Sequence, residues 1–142
     1  MFCQIYKRKT LIFIVLLHIY SFFNILLAIE WTQVTQGSKG HTFYIDMQNI
    51  KEQGNFIFFW QLINYNYIDE YGDRSAKVYI KASCKQLKIK WLKIYYHKFI
   101  MAEDDVPSSN PSDLVAGWQY PESNSTSYTV LNYICKNRGI IL

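Results

Sequence analysis

From Ser75 to Cys84 the chain alternates without a break, with Ala76, Val78, Ile80, Ala82 and Cys84 on one side and Ser75, Lys77, Tyr79, Lys81 and Ser83 on the other. Period two predicts a strand with one dry face and one wet face. Leu87, Ile89 and Trp91 continue the dry face in a following strand, with Lys88 and Lys90 toward water. The phase then slips. Lys93 falls where an apolar residue is due, and Leu92, Ile94 and Tyr96 take over, so a bulge is expected within Trp91 to Lys93.

Upstream, Trp31 to Thr35 reads as a short opening strand, and Gly37 to Gly40 as a turn. His41 to Met47 alternates again. Lys51 to Asn55 reads as a turn, and Phe56 to Tyr65, apolar and rich in aromatic and branched residues, as a central strand. Asn66 to Arg74 is a long hairpin connection whose Asp69, Glu70 and Asp73 suggest an acidic, solvated tip. Met101 to Asp113, broken by Pro107 and Pro111, is a surface loop, and Leu114 to Tyr120 is expected as a last short strand ended by Pro121. Ser123 to Ser127 offers helix caps. Tyr128, Leu131, Ile134 and Cys135 then recur at helical steps, which predicts a helix over Tyr128 to Lys136, closed by Asn137 to Gly139. The expected fold is α+β: a five- or six-stranded antiparallel sheet with one C-terminal helix on its dry face.

The segment before Trp31 answers a different question. Lys7, Arg8 and Lys9 precede an apolar run from Leu11 to Leu17 and a second patch ending at Leu26-Leu27-Ala28. That is the plan of a secretory signal cut after Ala28, giving a leader of residues 1–28 and one domain of residues 29–142. The rival is an uncleaved membrane anchor, since about twenty residues can span a bilayer; His18, Ser21 and Asn24 weaken it. Cys3 precedes the apolar run, so it is not placed for lipid attachment at the end of the signal.

Charge changes little once the leader is set aside. The chain has 15 Lys and Arg against 11 Asp and Glu, a net +4, and subtracting the leader's three basic residues leaves +1 for the exported part. Lysines 81, 85, 88, 90 and 93 form a local run, read here as the solvated face of a sheet rather than a nucleic-acid or polyanion surface. Two cysteines remain, Cys84 and Cys135, and an even pair in an exported chain most simply forms one disulfide. Their wide separation lacks the paired spacing of a zinc or redox site.

Catalytic groups are sparse. His41 and His97 sit on separate strands and read as surface or packing residues, and no serine motif or informative carboxylate pair accompanies them. Asp46 is placed to accept turn hydrogen bonds near Asn49, and Asp69, Glu70 and Asp73 lack the pattern of a calcium loop. Asn124-Ser125-Thr126 is formally a glycosylation acceptor, but helix capping accounts for it. No enzyme activity, cofactor or metal is expected.

The order Trp31, then Phe43-Tyr44-Ile45-Asp46 with Ile50, then Trp60-Gln61-Leu62 and Asn64-Tyr65, then Ser75 with Cys84, then Trp118 and a closing helix with Cys135, resembles the bacterial surface-adhesin protein E family. The resemblance implies a small exported sheet-and-helix domain in the bacterial periplasm or on the outer surface, acting as a non-enzymatic adhesin that contacts host or matrix proteins through its tyrosine-rich strands. A different class of function is a structural or assembly subunit of the envelope, homodimerising through the Phe56 to Tyr65 strand or a sheet edge.

Overall fold

The computed structural model describes residues 29–107, 109, 112 and 116–137. The expected leader and its cut after Ala28 lie outside these residues, as do 138 and 139 at the expected helix end. Six strands form one antiparallel sheet: β1 (Trp31–Gln36), β2 (Thr42–Asp46), β3 (Lys51–Gln53), β4 (Phe56–Asn64), β5 (Ser75–Ser83) and β6 (Lys88–His97). The order across the sheet is β1-β2-β4-β5-β6, with β3 paired to β4 beside β2. One helix, α1 (Thr126–Asn137), lies on the dry face.

The alternation of β5 places Ala76, Val78, Ile80, Ala82 and Cys84 in the core, joined by Ile57 and Phe59 of β4 and Ile89 and Ile94 of β6. Helix α1 closes this core with Val130, Leu131, Ile134 and Cys135. Each fully buried aliphatic or aromatic side chain here contributes about 1.5–3 kcal/mol of transfer free energy. The helix starts where the capping residues lie: Ser125 Oγ accepts the N–H of Tyr128 at 3.1 Å and donates to the Glu122 carbonyl at 2.7 Å. Tyr128, expected on the inner face, is half-buried, and Val130 takes that place.

The bulge in β6 occurs within the expected span. Tyr79 pairs with Lys93 while Ile80 pairs with Trp91, so Leu92 is the extra residue. A similar shift in β1 between Gln33 and Thr35 leaves Val34 unpaired and packed against the core.

Two local expectations are corrected. The Lys51 to Asn55 segment is not all turn: Lys51–Gln53 forms β3, joined to β4 by the two-residue loop Gly54-Asn55, with Gly54 at φ 59°. All three strand residues are exposed, so no alternation betrayed them. Nor do the described residues of Leu114 to Tyr120 form a strand. Gln119 alone bridges Ile89, with N–H to carbonyl distances of 2.8 and 2.9 Å. The next hydrogen-bonded pair would require an N–H from Pro121, which has none, and an extended Leu87, which sits at φ 48°.

Cys84 and Cys135 form a disulfide between the end of the β5 segment and α1, closing a separation of 51 residues. In the chain-entropy account this stabilises by about 4 kcal/mol. Replacing both cysteines by serine should therefore lower the denaturation free energy by a few kcal/mol, read as a shifted denaturant midpoint. The wild type should show the same loss when reducing agent is added.

Candidate functional site

Three connections meet at one end of the sheet: the β1–β2 turn, residues 65–74 between β4 and β5, and residues 98–104 after β6. The first two meet where the Asn66 N–H donates to His41 Nδ1 at 3.1 Å and the His41 ring lies 5.4 Å from Tyr65 and 5.1 Å from Tyr67. Gly40, at φ +83°, is close to Asn66; a Cβ there would stand 2.8 Å from Asn66 Nδ2. Burial first, then the neighbouring phenol of Tyr96 and the carboxylates of Asp69 and Asp73, push the Tyr65 phenol above its ordinary range. It stays uncharged at any physiological pH.

Two of the three acidic residues of the 65–74 connection, Asp69 and Asp73, turn inward, contrary to the solvated tip expected from the sequence, while Glu70 is exposed as expected. Asp69 Oδ1 accepts the N–H groups of Tyr71 and Asp73 at 2.9 and 2.8 Å. Asp73 is buried and pairs with Lys98 Nζ at 2.7 Å, and the same ammonium donates to the Tyr71 carbonyl at 2.6 Å. The Arg74 N–H donates to the His97 carbonyl, so the two connections are laced together. Beside the exposed Glu70, Arg74 and Lys98, large apolar groups face water: Tyr71 is 74% exposed, Ile68 62%, Phe99 56% and Tyr67 55%, with Tyr96 and Ile100 nearby in sequence and also exposed. Exposed apolar groups held on an ordered frame are the raw material of a protein-contact site.

Residues 97–104 are clamped from below. Ser75 Oγ, fully buried, donates to the Phe99 carbonyl at 2.7 Å and accepts the Ala102 N–H at 3.2 Å; Asn64 Oδ1 accepts the Met101 N–H at 2.9 Å. His97 is buried, with Nδ1 3.0 Å from Asp104 Oδ1, while Asp104 Oδ2 accepts the Lys98 N–H. Partial withdrawal from water pushes the Asp104 carboxyl up, but backbone N–H donors and His97 outweigh this and hold it below the ordinary aspartate range.

The wet face of the sheet is paved rather than bare. Phe56, Phe58 and Trp60 of β4, Tyr79 of β5 and Tyr95 of β6 are half-buried there, and lysines lie over them. Lys81 Nζ is 3.9 Å from the Phe56 ring centre, Lys88 Nζ 4.3 Å from that of Trp118, and Lys77 just over 5 Å from Trp60 and Tyr95. The strand aromatics are thus largely roofed by ammonium groups. Of the exposed tyrosines, Tyr67, Tyr71 and Tyr120 are in loops, and Tyr96 is near the end of β6.

The profile of the family described as surface-adhesin protein E matches residues 31–136. The chain belongs to that family. Among solved structures, Haemophilus influenzae protein E matches with a TM-score of 0.59 at 14% identity, over 82% of this chain and 91% of that one. A second crystal form of the same protein gives 0.58 at 16%, over 80% and 97%. Protein E from non-typeable Haemophilus influenzae gives 0.57 at 14%, over 81% of each chain. At such identities the structural likeness is one of fold. No curated protein matches the sequence.

As a surface-adhesin protein E member the chain is a non-enzymatic, adhesin-like exported module. His41 and His97 are far apart in role: one braces a turn and the other is buried against Asp104. Asp46 accepts the Gln48 and Asn49 N–H groups and the Asn49 side-chain amide, the turn role expected of it. Among the described residues, no group of three or more His, Cys, Asp or Glu is placed to hold a metal ion. The Phe56 to Tyr65 strand is not open for pairing, because β2 and β3 occupy one side of β4 and β5 the other. The outer side of β6 is partly taken by bridges from Ser109 and Gln119.

A carboxyl held low in the folded state adds stability above its unfolded value, and that stability is lost as pH falls through the folded one. The stability that Asp104 contributes should therefore fade as the pH falls below about 4, read as a lower melting temperature. Asp104→Asn should melt lower at neutral pH and decline less steeply across that acid window.

Proposed function

We propose that residues 29–142 form an exported adhesin-like domain, released by cleavage after Ala28, that grips host or matrix proteins through the apolar end loops. The observation that carries this reading is the inverted tip: Asp69 and Asp73 are spent on internal bonds while Tyr67, Ile68, Tyr71 and Phe99 stand in water. Leaving such groups exposed wins nothing for folding. Aromatic groups on a pre-ordered frame are efficient binding anchors, because little side-chain freedom remains to be lost on contact. Membership in an adhesin family supports the same reading.

Binding of the purified protein to immobilised matrix proteins tests it. Ile68→Asp together with Tyr71→Ala should weaken binding by about tenfold or more, the scale of a lost anchor, and leave the melting temperature nearly unchanged because both side chains are exposed. Unchanged binding rejects the tip as the contact surface. Capture of an envelope protein alone, with a dimeric mass in solution, would favour the assembly-subunit reading over adhesion.

Export has its own check. N-terminal sequencing of envelope-fraction protein should begin at Ile29, whereas a retained Met1 would support the membrane anchor.

A further inference from the structure

The lysine run reads differently once the register of the sheet is known. Lys51 of β3 pairs with Phe58 of β4, Phe58 with Lys81 of β5, and Lys81 with Lys90 of β6, so one rung crosses four strands as Lys-Phe-Lys-Lys. The next rung carries Trp60, Tyr79 and Lys93, and the one after it Leu62, Lys77 and Tyr95. Lys88 lies diagonal to Lys81 on the same face. Lys81 and Lys90 stand directly opposite each other on strands about 4.8 Å apart, an arrangement that destabilises a sheet. Among the described residues none of these six lysines forms an ion pair with a carboxylate. Asp46, which lines a depression of about 460 Å³ on this face with Trp60, Tyr79, Lys51 and Lys93, is buried and bonded to its own turn.

We infer that this lysine–aromatic face binds a linear sulfated polysaccharide. A sulfate seated between Lys81 and Lys90 turns their repulsion into two attractions, and successive sulfates on one chain can reach Lys88, Lys93 and Lys77. The stems of Lys77, Lys81 and Lys88 lie over the rings beneath in cation–π contacts, so their ammonium groups are already placed before the ligand arrives. Between the lysines, ring edges offer apolar surface to the C–H faces of sugars. An acidic peptide fits less well: β4 and β5 beneath are paired on both sides, the outer side of β6 is partly taken by Ser109 and Gln119, and the rings form no deep pocket for its side chains. A second copy of the chain is disfavoured by charge, since a two-fold contact would set this cationic face against itself. The inference does not depend on the tip reading. Eight residue steps along β5 from Ser75 to Ser83, at about 3.3 Å each, put the Ser83 end of this face, near Lys88, well away from the Ser75 end beside the tip.

The test is binding to immobilised heparin in about 0.15 M salt, where weak surface electrostatics is screened. The full chain is expressed, purified, and compared on de-sulfated heparin, polyglutamate and single-stranded DNA. The wild type should bind heparin, at least about tenfold more tightly than the other three, the scale of a few lost charge contacts. Lys81→Gln/Lys90→Gln should lose most of that affinity and melt close to the wild type, because the like-charge repulsion removed is set against the Lys81 contacts over Phe56 and Phe58 that are lost with it. Lys39→Gln/Lys136→Gln, with the same change in net charge away from this face, should bind as the wild type does, and so should Ile68→Asp/Tyr71→Ala. No heparin binding, equal loss in the two lysine pairs, or equal or tighter binding to any of the other three probes would overturn the proposal. Loss of matrix-protein binding with heparin binding retained would implicate the tip alone.

Discussion

The rest of the structure hangs on one constraint: the dry face of β5 and its neighbours must be covered, and among the described residues the element that covers it is a twelve-residue helix. A helix of that length is marginal in isolation. It is stable here because Val130, Leu131, Ile134 and Cys135 are almost wholly buried against the sheet, and because Cys135 is tied to Cys84 at the end of the β5 segment. The disulfide limits how far the helix can stray in the unfolded chain, and burial selects its pose once it arrives. Without the clamp the sheet would carry an open apolar face through much of its search for the native state, a state prone to misassembly.

Covering one face leaves the other to solvent. Among the described residues no α-helix lies across it, only the short 3-10 turn Ile100–Ala102 at its Asn64 and Ser75 end, yet β4 needs aromatic and branched side chains on both sides to behave as a central strand. Lysine resolves that conflict. Its stem lies along ring surface and its ammonium stays wet, so Phe56, Phe58, Trp60 and Trp118 can be half-buried without a second protein layer. The same solution packs positive charges closer together than folding alone would favour, as the Lys81–Lys90 pair makes plain.

The longer strands, their dry face, the bulge and the closing helix were legible because each is written as a pattern that runs over several residues. What escaped the sequence was written in fewer positions or in partners far along the chain. β3 spans three exposed residues and carries no apolar signal at all. The Leu114 to Tyr120 expectation counted apolar residues and gave too little weight to Pro121, whose missing donor confines pairing to Gln119. The hairpin tip was the larger misreading. Its carboxylates looked like solvating groups, but Asp69 faces its own turn and Asp73 meets Lys98, twenty-five positions onward. The one local clue was an aspartate three residues before Gly72, the composition of a turn in which the side chain caps the backbone.

Rigidity at the tip is secured at a visible conformational cost. Met101 and Ala102 both hold positive φ, 58° and 54°, a region that costs a non-glycine residue on the order of 1 kcal/mol or more. The bonds that hold them come from Asn64 at the end of β4 and Ser75 at the start of β5, both fixed in the sheet. A connection meant only to return the chain could relax out of that conformation at no loss. Here the ends of the two central strands are used to keep it, and the result is that Phe99 and Ile100 are presented outward beside the Lys98 bridge to the opposite loop. Strain of this kind survives only where surrounding structure over-determines it. At this end of the sheet that over-determination runs through His97, Asp104, Lys98 and Asp73 in turn, so the exposed apolar residues are carried on a frame bonded to the strands from which it springs.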